Sequence, residues 1–587
     1  MKRPNKTDST SATAPSDSRH DGAGTSDAAP ILPADLMANA AIARVTGGIS
    51  PAALGNAFAD WLAHLVLSPA KRAALISSAW QRAGQLVLSS STGPQQDNPV
   101  AADKRFADAL WQRWPYNTWV AAFLHTEQWW QEASRATRGV SQHHADVVDF
   151  TTRQWLDMYA PSNFMVTNPV VLDKTIRSGG ANLLAGMQRM VHDWQKNLAG
   201  QAAPIDDQYQ VGVNMAITPG KVVFRNRLME LIEYTPVTPN VYARPVLIVP
   251  AWIMKYYILD LSPNNSLVRY LVQNGYTVFI ISWKNPGSAE RDVGLDDYRS
   301  EGIMCALDEI GRITKAPDVN AVGYCLGGTN LAITAATMAR DKDKRLASLS
   351  LFAAQVDFEE PGELSLFIDE SQVAFLEAMM ANQGYLDTRQ MAGAFQMLRS
   401  NDLIYSHYIN QYLMGLPEQN NDLMAWNADA TRMPYRMHSE YLRQLFLRND
   451  LAANRYHVNG QAISLGDIRV PVFAVGTVTD HVAPWKSVYK IHQAVNGEVC
   501  FVLTTGGHNA GVVSPPENSH RRYQIASHVP KAPYVEAETW RSVAPAIEGS
   551  WWPAWEQWLR QRSGSWIKPP VMGRALYDAP GTYVMER

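Results

Sequence analysis

Six short apolar runs, each bounded by turn residues and separated by amphipathic stretches, constrain the fold of this chain more than any other feature. They are PVLIVPAW (245–252), YTVFIISW (276–283), VNAVGYC (319–325), LASLSLFAAQV (346–356), VPVFAVGT (470–477) and EVCFVLTT (498–505). Val- and Ile-rich runs without polar alternation suit strands covered on both faces. Such strands alternating with helices build a parallel sheet, an α/β architecture. Amphipathic segments such as 295–314 and 485–495 supply the helices. One interval breaks the rhythm: about 359–462 is helical and aromatic-rich (FLEAMMANQGYLD, NDLIYSHYINQYLMG) and has no core strand. An insertion there lies over the carboxyl ends of the strands, where open α/β folds bind ligands, and it reads as a lid that closes over the site.

Ahead of the first run the character differs. Residues 1–34 are mostly small and polar, with no large apolar residue between Met1 and Ile31, the composition of a disordered leader. From 35 to 205 apolar residues recur every three or four positions, as in AALGNAFADWLAHLVL (52–67), which predicts an all-helical N-terminal domain. Residues 206–587 then form the α/β domain with its insertion.

A formal net charge of −3 gives no global field toward nucleic acid or an acidic membrane. No apolar run approaches the ~18 residues of a membrane span, and the N-terminus lacks the apolar core of a signal peptide. Three cysteines (Cys305, Cys325, Cys500) are no disulfide framework in a chain of 587 residues and fit a reducing compartment. Together these predict a soluble cytoplasmic protein. The 19 tryptophans admit two readings, core packing or partly exposed indoles on an apolar surface.

The chemistry centres on Gly323-Tyr324-Cys325-Leu326-Gly327, a strand–turn–helix elbow with cysteine where many hydrolases carry serine. Side chains at the flanking glycines would collide with the neighbouring strand and helix. Alone, the match could equally be a small buried residue at a strand end. An elbow nucleophile also needs a base and an orienting carboxylate, in the chain order nucleophile, acid, histidine. Asp480 lies in VTDHVAPW after the 470–477 run, and His508 in GGHNAG after the 498–505 run. His481 is the competing base, but it directly follows the acid on one short loop and would struggle to meet both Asp480 and Cys325. Cys305 and Cys500 read as core residues. The oxyanion donors in such a fold are the amide after the nucleophile, here Leu326, and one from PAWIMKYY, near Trp252 or Ile253. A thiol attacking a thioester exchanges one thioester for another at nearly equal energy, which favours acyl transfer over hydrolysis. A lid that excludes water protects the acyl-enzyme. No metal or cofactor is called for.

With these residues in place the chain resembles the polyhydroxyalkanoate synthases, bacterial polyester polymerases, from about residue 100 to the C-terminus. The motifs include NMAITPGKVVFRNRLMELIEY, SWKNP, GYCLGG, WNADATRMP, TDHVAPW, GGHNAGVVSPP and GSWWPAW. The resemblance implies an α/β-hydrolase fold with Cys325 carrying the growing chain, His508 activating it, and Asp480 orienting His508 or helping to activate the incoming hydroxyl. It implies an (R)-3-hydroxyacyl-CoA substrate, with CoA arriving as substrate and not as cofactor. It also implies a homodimer at the surface of a polyester granule, in the company of granule-associated proteins, and synthases built from a single kind of subunit. Departures are Ala251 where the family usually has a second proline, Ser400 for a proline, and YSHY at 405–408 for Trp-Asn-Tyr. A cysteine-dependent hydrolase or depolymerase, and a silent granule-associated protein, are the alternatives. The complete triad argues against the second.

Overall fold

The computed structural model describes residues 33–89, 103–198, 208–388, 390, 404–417, 420–518, 520–530 and 532–587. All six apolar runs become strands of one sheet, which among the described residues has eleven. In chain order these are β1 (Gly220–Arg225), β2 (Met229–Tyr234), β3 (Val246–Val249), β4 (Val278–Trp283), β5 (Val319–Tyr324), β6 (Leu346–Phe352), β7 (Val472–Thr477), β8 (Val499–Thr504), β9 (Arg522–His528), β10 (Ala546–Glu548) and β11 (Tyr577–Asp578). Their spatial order is β10-β9-β8-β7-β6-β5-β3-β4-β2-β1-β11. The six strands from β8 to β4 run parallel, and those added at either edge are antiparallel.

Burial on both faces explains why those runs carry no polar alternation. Leu247, Val249, Phe279 and Ile281 enter one core, and Val246, Ile248, Val278 and Ile280 enter the other. Each such side chain contributes about 1.5–3 kcal/mol on leaving water. The antiparallel additions lack this signature. Every residue of β2 is buried, yet it carries Glu230 and Glu233, which disguise the strand in the sequence. The C-terminal tail satisfies both. Glu230 accepts from the amides of Thr582 (2.9 Å) and Tyr583 (3.1 Å), and Glu233 from that of Gly573 (2.8 Å).

Of the expected leader, 1–34, only Pro33 and Ala34 are described, and they open the first helix, Pro33–Thr46. Helices follow at Pro51–Val66, Pro69–Ser89, Tyr116–Ser134, Gln142–Met158, Pro169–Arg177 and Ala181–Leu198. They enclose small cores of their own, one around Phe106, Trp111 and Phe123, another around Trp61 and Val148. Both readings of the tryptophans hold, for different residues. Trp551, Trp552 and Trp555 are buried under the sheet, whereas Trp80, Trp114, Trp155 and Trp194 of the helical region are more than half exposed.

The helical region meets the insertion between β6 and β7 at two places. The side chain of Gln372, on helix Glu370–Gln383, donates to the carbonyl of Gly48 (2.7 Å) and accepts from the amide of Ser50 (2.8 Å). Farther along, Asn182 donates to the carbonyl of Leu413 (2.8 Å), and Gly186 lies so close to Tyr412 that a Cβ would overlap its carbonyl. Ala is a better helix former than Gly by about 1 kcal/mol, so Gly186→Ala would stabilise a free helix. Here the overlap outweighs that gain. We expect a net loss of roughly 1–3 kcal/mol in urea unfolding and new protease cleavage in 408–416. Unchanged stability would mean that this helix is not docked.

Candidate active site

β5 ends at Tyr324, and the helix Leu326–Arg340 starts one residue later, so Cys325 must turn the chain alone. It does so with φ 52° and ψ −129°, a conformation that side chains other than glycine rarely adopt. Its amide donates to the carbonyl of Phe352 on β6 (2.9 Å), and its carbonyl accepts from Gly328 (2.9 Å) and Thr329 (3.1 Å). The glycines leave no room for anything else. A Cβ on Gly323 would strike Gly328, one on Gly327 would strike the carbonyls of Val249 and Pro250, and one on Gly328 would strike Ala354. Cys325 itself stays partly accessible. Cys500 is buried within β8, and Cys305 is half-buried at the start of helix Cys305–Thr314.

Asp480 lies just beyond β7 and His508 just beyond β8. The two strands are parallel neighbours in register, so both loops leave the same end of the sheet. His508 Nδ1 donates to Asp480 Oδ2 at 2.8 Å, and the carboxylate is fully enclosed. Asp480 Oδ1 accepts from the amides of Val482 (2.9 Å) and Ala483 (2.8 Å), while the Thr477 hydroxyl donates to Oδ2 (3.0 Å). The competing histidine, His481, follows the acid directly, and its backbone carbonyl accepts from the amide of Glu363 (3.2 Å).

Burial alone would raise the Asp480 carboxyl, but the charge and hydrogen bond of His508, with the two amides, hold it below its ordinary value. For His508, burial works against the charged form. The Asp480 carboxylate and the interaction with Cys325 outweigh it and push the imidazole well above its ordinary value. The arrangement therefore favours an imidazolium between a carboxylate and the Cys325 sulfur.

Leu326, the expected first oxyanion donor, opens the elbow helix, and Ile253 lies in the loop after β3. That loop is tied to the insertion. The Thr431 hydroxyl donates to the Trp252 carbonyl (2.6 Å), the Thr431 amide to that of Ile253 (3.3 Å), and the Trp426 indole to that of Lys255 (2.8 Å). The Lys255 ammonium pairs with Asp429 at 2.9 Å, both side chains buried. The stretch 426–431 is thus a fixed wall of the site. Tyr441, also from the insertion, is half-buried and lies within electrostatic reach of Cys325. None of Thr477, Thr431, Lys255 or Tyr441 stands out in the sequence; only the position of Thr477 at the end of a strand could have drawn attention to it.

The His508 loop is pinned from behind. Arg521 donates to the carbonyls of Ala510 (2.7 Å) and Thr505 (3.3 Å), and the indoles of Trp551 and Trp552 to those of Gly511 and Val512, both at 3.0 Å.

A parallel sheet with antiparallel edges, a cysteine on a strained elbow, and a hydrogen-bonded aspartate and histidine on later strand ends are the arrangement of the α/β-hydrolase fold. In agreement, residues 244–515 match that fold family. Residues 29–71 match the family described as "Poly-beta-hydroxybutyrate polymerase N terminal", and residues 102–271 that described as "Poly-beta-hydroxybutyrate polymerase (PhaC) N-terminus". The chain is 42% identical over 494 residues to a poly(3-hydroxyalkanoate) polymerase of Methylorubrum extorquens, covering 83% of this chain and 81% of that protein. It is 33% identical over 552 residues to the poly(3-hydroxyalkanoate) polymerase subunit of Cupriavidus necator, covering 91% of each. The chain belongs to the poly(3-hydroxyalkanoate) polymerase family.

Removing the Asp480 charge should release the His508 imidazole. In Asp480→Asn its pKa should fall toward the ordinary ~6.5, read by histidine-selective NMR with the signal assigned by its loss in His508→Ala. The same pair sets a stability window. The contribution of His508 is complete below its unfolded pKa and is lost as pH rises through the raised folded value. That of Asp480 is complete above its unfolded pKa and is lost as pH falls through the lowered one. Wild type should therefore exceed Asp480→Asn most in stability between the carboxylate range and neutrality. An equal gap at all pH values would contradict the pairing.

Proposed function

We propose that Cys325, His508 and Asp480 are the catalytic centre with which this poly(3-hydroxyalkanoate) polymerase, an acyltransferase, joins (R)-3-hydroxyacyl units from their CoA thioesters. The observation that carries this reading is the 2.8 Å bond from His508 to the buried Asp480 carboxylate, with the imidazole coupled on its other side to the elbow cysteine.

In the first step Cys325 Sγ attacks the thioester carbonyl. The new C–S bond forms, the bond to the CoA sulfur breaks, and His508 gives its proton to the departing thiolate. The acyl group is now held as a thioester of Cys325. In the second step the hydroxyl of another hydroxyacyl unit attacks an acyl carbonyl held on Cys325. An oxygen ester forms, His508 takes the hydroxyl proton, and Cys325 leaves as thiolate beside a restored imidazolium. The negative oxygen of each tetrahedral intermediate is stabilised by the amide of Leu326, at the positive end of the elbow helix, and by a second amide from the β3 loop, that of Ile253. Both steps balance with the substrate and this chain's own groups, with no further cofactor.

The enzyme acts as a homodimer on the surface of the polyester granule in the cytoplasm. Family resemblance supports this, and so do the exposed indoles of the helical region. Among the described residues no helix is long and apolar enough to cross a membrane.

Cys325→Ser should lower polymer formation from 3-hydroxybutyryl-CoA by at least ~10³-fold while leaving the fold intact. His508→Ala should approach it in severity, and His481→Ala should cost far less. The measurements are CoA release and polymer mass on the same samples. CoA release with no polymer in the wild type would mark a hydrolase, and the reverse order of the two histidine variants would overturn the assignment of the base.

A further inference from the structure

The bond to Asp480 fixes His508 at Nδ1, and the approach of the ring to Cys325 then depends on how the loop that carries it is held. The loop that carries it begins with Gly506, at φ 108°, and Gly507, whose carbonyls accept from the amides of Thr479 (3.1 Å) and Gly511 (2.8 Å). Arg521 and Trp551 hold the two shoulders of that loop, and the Asn509 carbonyl accepts from the amides of Val512 (3.1 Å) and Val513 (3.0 Å).

The centre is held by its next residue. Asn509 Oδ1 accepts a 2.6 Å hydrogen bond from the hydroxyl of Tyr324, the residue immediately before the nucleophile. Its Nδ2 donates to Oδ1 of Asn427, in the fixed wall of the insertion, at 3.2 Å. Tyr324 is buried, and its ring lies against the His508 imidazole, with centroids 5.5 Å apart and planes inclined by 37°. One short bond thus joins the neighbour of Cys325 to the neighbour of His508 and closes a small ring through the two reacting residues.

We propose that the Tyr324–Asn509 hydrogen bond is the positioning element that sets the His508 imidazole against Cys325. It rests on the reading of His508 as the base and of Cys325 as the nucleophile. Neither residue touches substrate in this role. Both act through His508, and a displacement of about 1 Å there is enough to cost up to ~10²-fold in rate.

The test is a double-mutant cycle in the full-length enzyme with 3-hydroxybutyryl-CoA, using Tyr324→Phe, Asn509→Ala and the pair. Each single change should lower kcat by about 10- to 100-fold with KM within about twofold, because binding groups are untouched. The double variant should be no more than about threefold worse than the poorer single, because both remove one bond. Alkylation of Cys325 by iodoacetamide near neutral pH should slow by a similar factor in each, a change that mere loosening of the fold would not produce at unchanged thermal midpoint. If Asn509→Ala unfolds, Tyr324→Phe, which removes only one oxygen, decides the matter by its kcat and alkylation rate. Wild-type kcat in Tyr324→Phe, or effects of the two changes that multiply independently, would overturn the proposal. Cys325→Ser serves as the reference: inactive, it leaves the assignment of the nucleophile standing whatever the cycle shows, and active, it removes that assignment first.

Discussion

The site depends on a contact between backbones. The first turn of the elbow helix lies directly against β5 and β3, with Gly323 on Gly328 and Gly327 on the carbonyls of Val249 and Pro250. No side chain separates them. This close approach is what lets a single residue reverse the chain at Cys325, and it leaves the nucleophile no alternative position. The strain of the positive φ is sustained because the flanking strand and helix are almost entirely buried, so relaxing the turn would disturb both cores of the sheet.

Around that fixed point the other groups are brought in by strand ends and then locked by side chains from remote parts of the chain. The insertion divides accordingly. Its stretch 426–431 bonds to the β3 loop through Trp426, Asp429 and Thr431 and to the His508 loop through Asn427. It therefore braces both sides of the site at once. Other parts of the insertion are attached instead to the helical region, through Gln372 and Leu413.

The parallel half of the sheet was legible because strands buried on both faces cannot hide their composition. Cys325, Asp480 and His508 stood out because each follows such a strand, and the structure joins the last two by a hydrogen bond. β1 and β2 were not: β1 has just three apolar residues, Val222, Val223 and Phe224, and in β2 Glu230 and Glu233 break the apolar pattern, their amide donors lying in a tail more than three hundred residues away. Thr431 and Asn427 are hidden by separations of 179 and 82 residues from their partners: a single side-chain hydrogen bond between remote segments leaves no period in the sequence. Tyr324 and Asn509 sit beside the two reacting residues in plain view. Nothing in either local pattern says that they meet.

The bridge from Gln372 to Gly48 and Ser50 also has a consequence in time. Its ends lie 322 residues apart. At roughly 5–20 residues per second a ribosome needs on the order of half a minute to make the second end after the first has appeared. For that interval the helical region has no insertion to rest against, and the surface around Phe150 that later meets Phe367 stays uncovered. The newborn chain therefore passes through a stage in which its front third is finished but unpaired, and its success in folding turns on how that stage is kept from clumping with its neighbours on the same messenger.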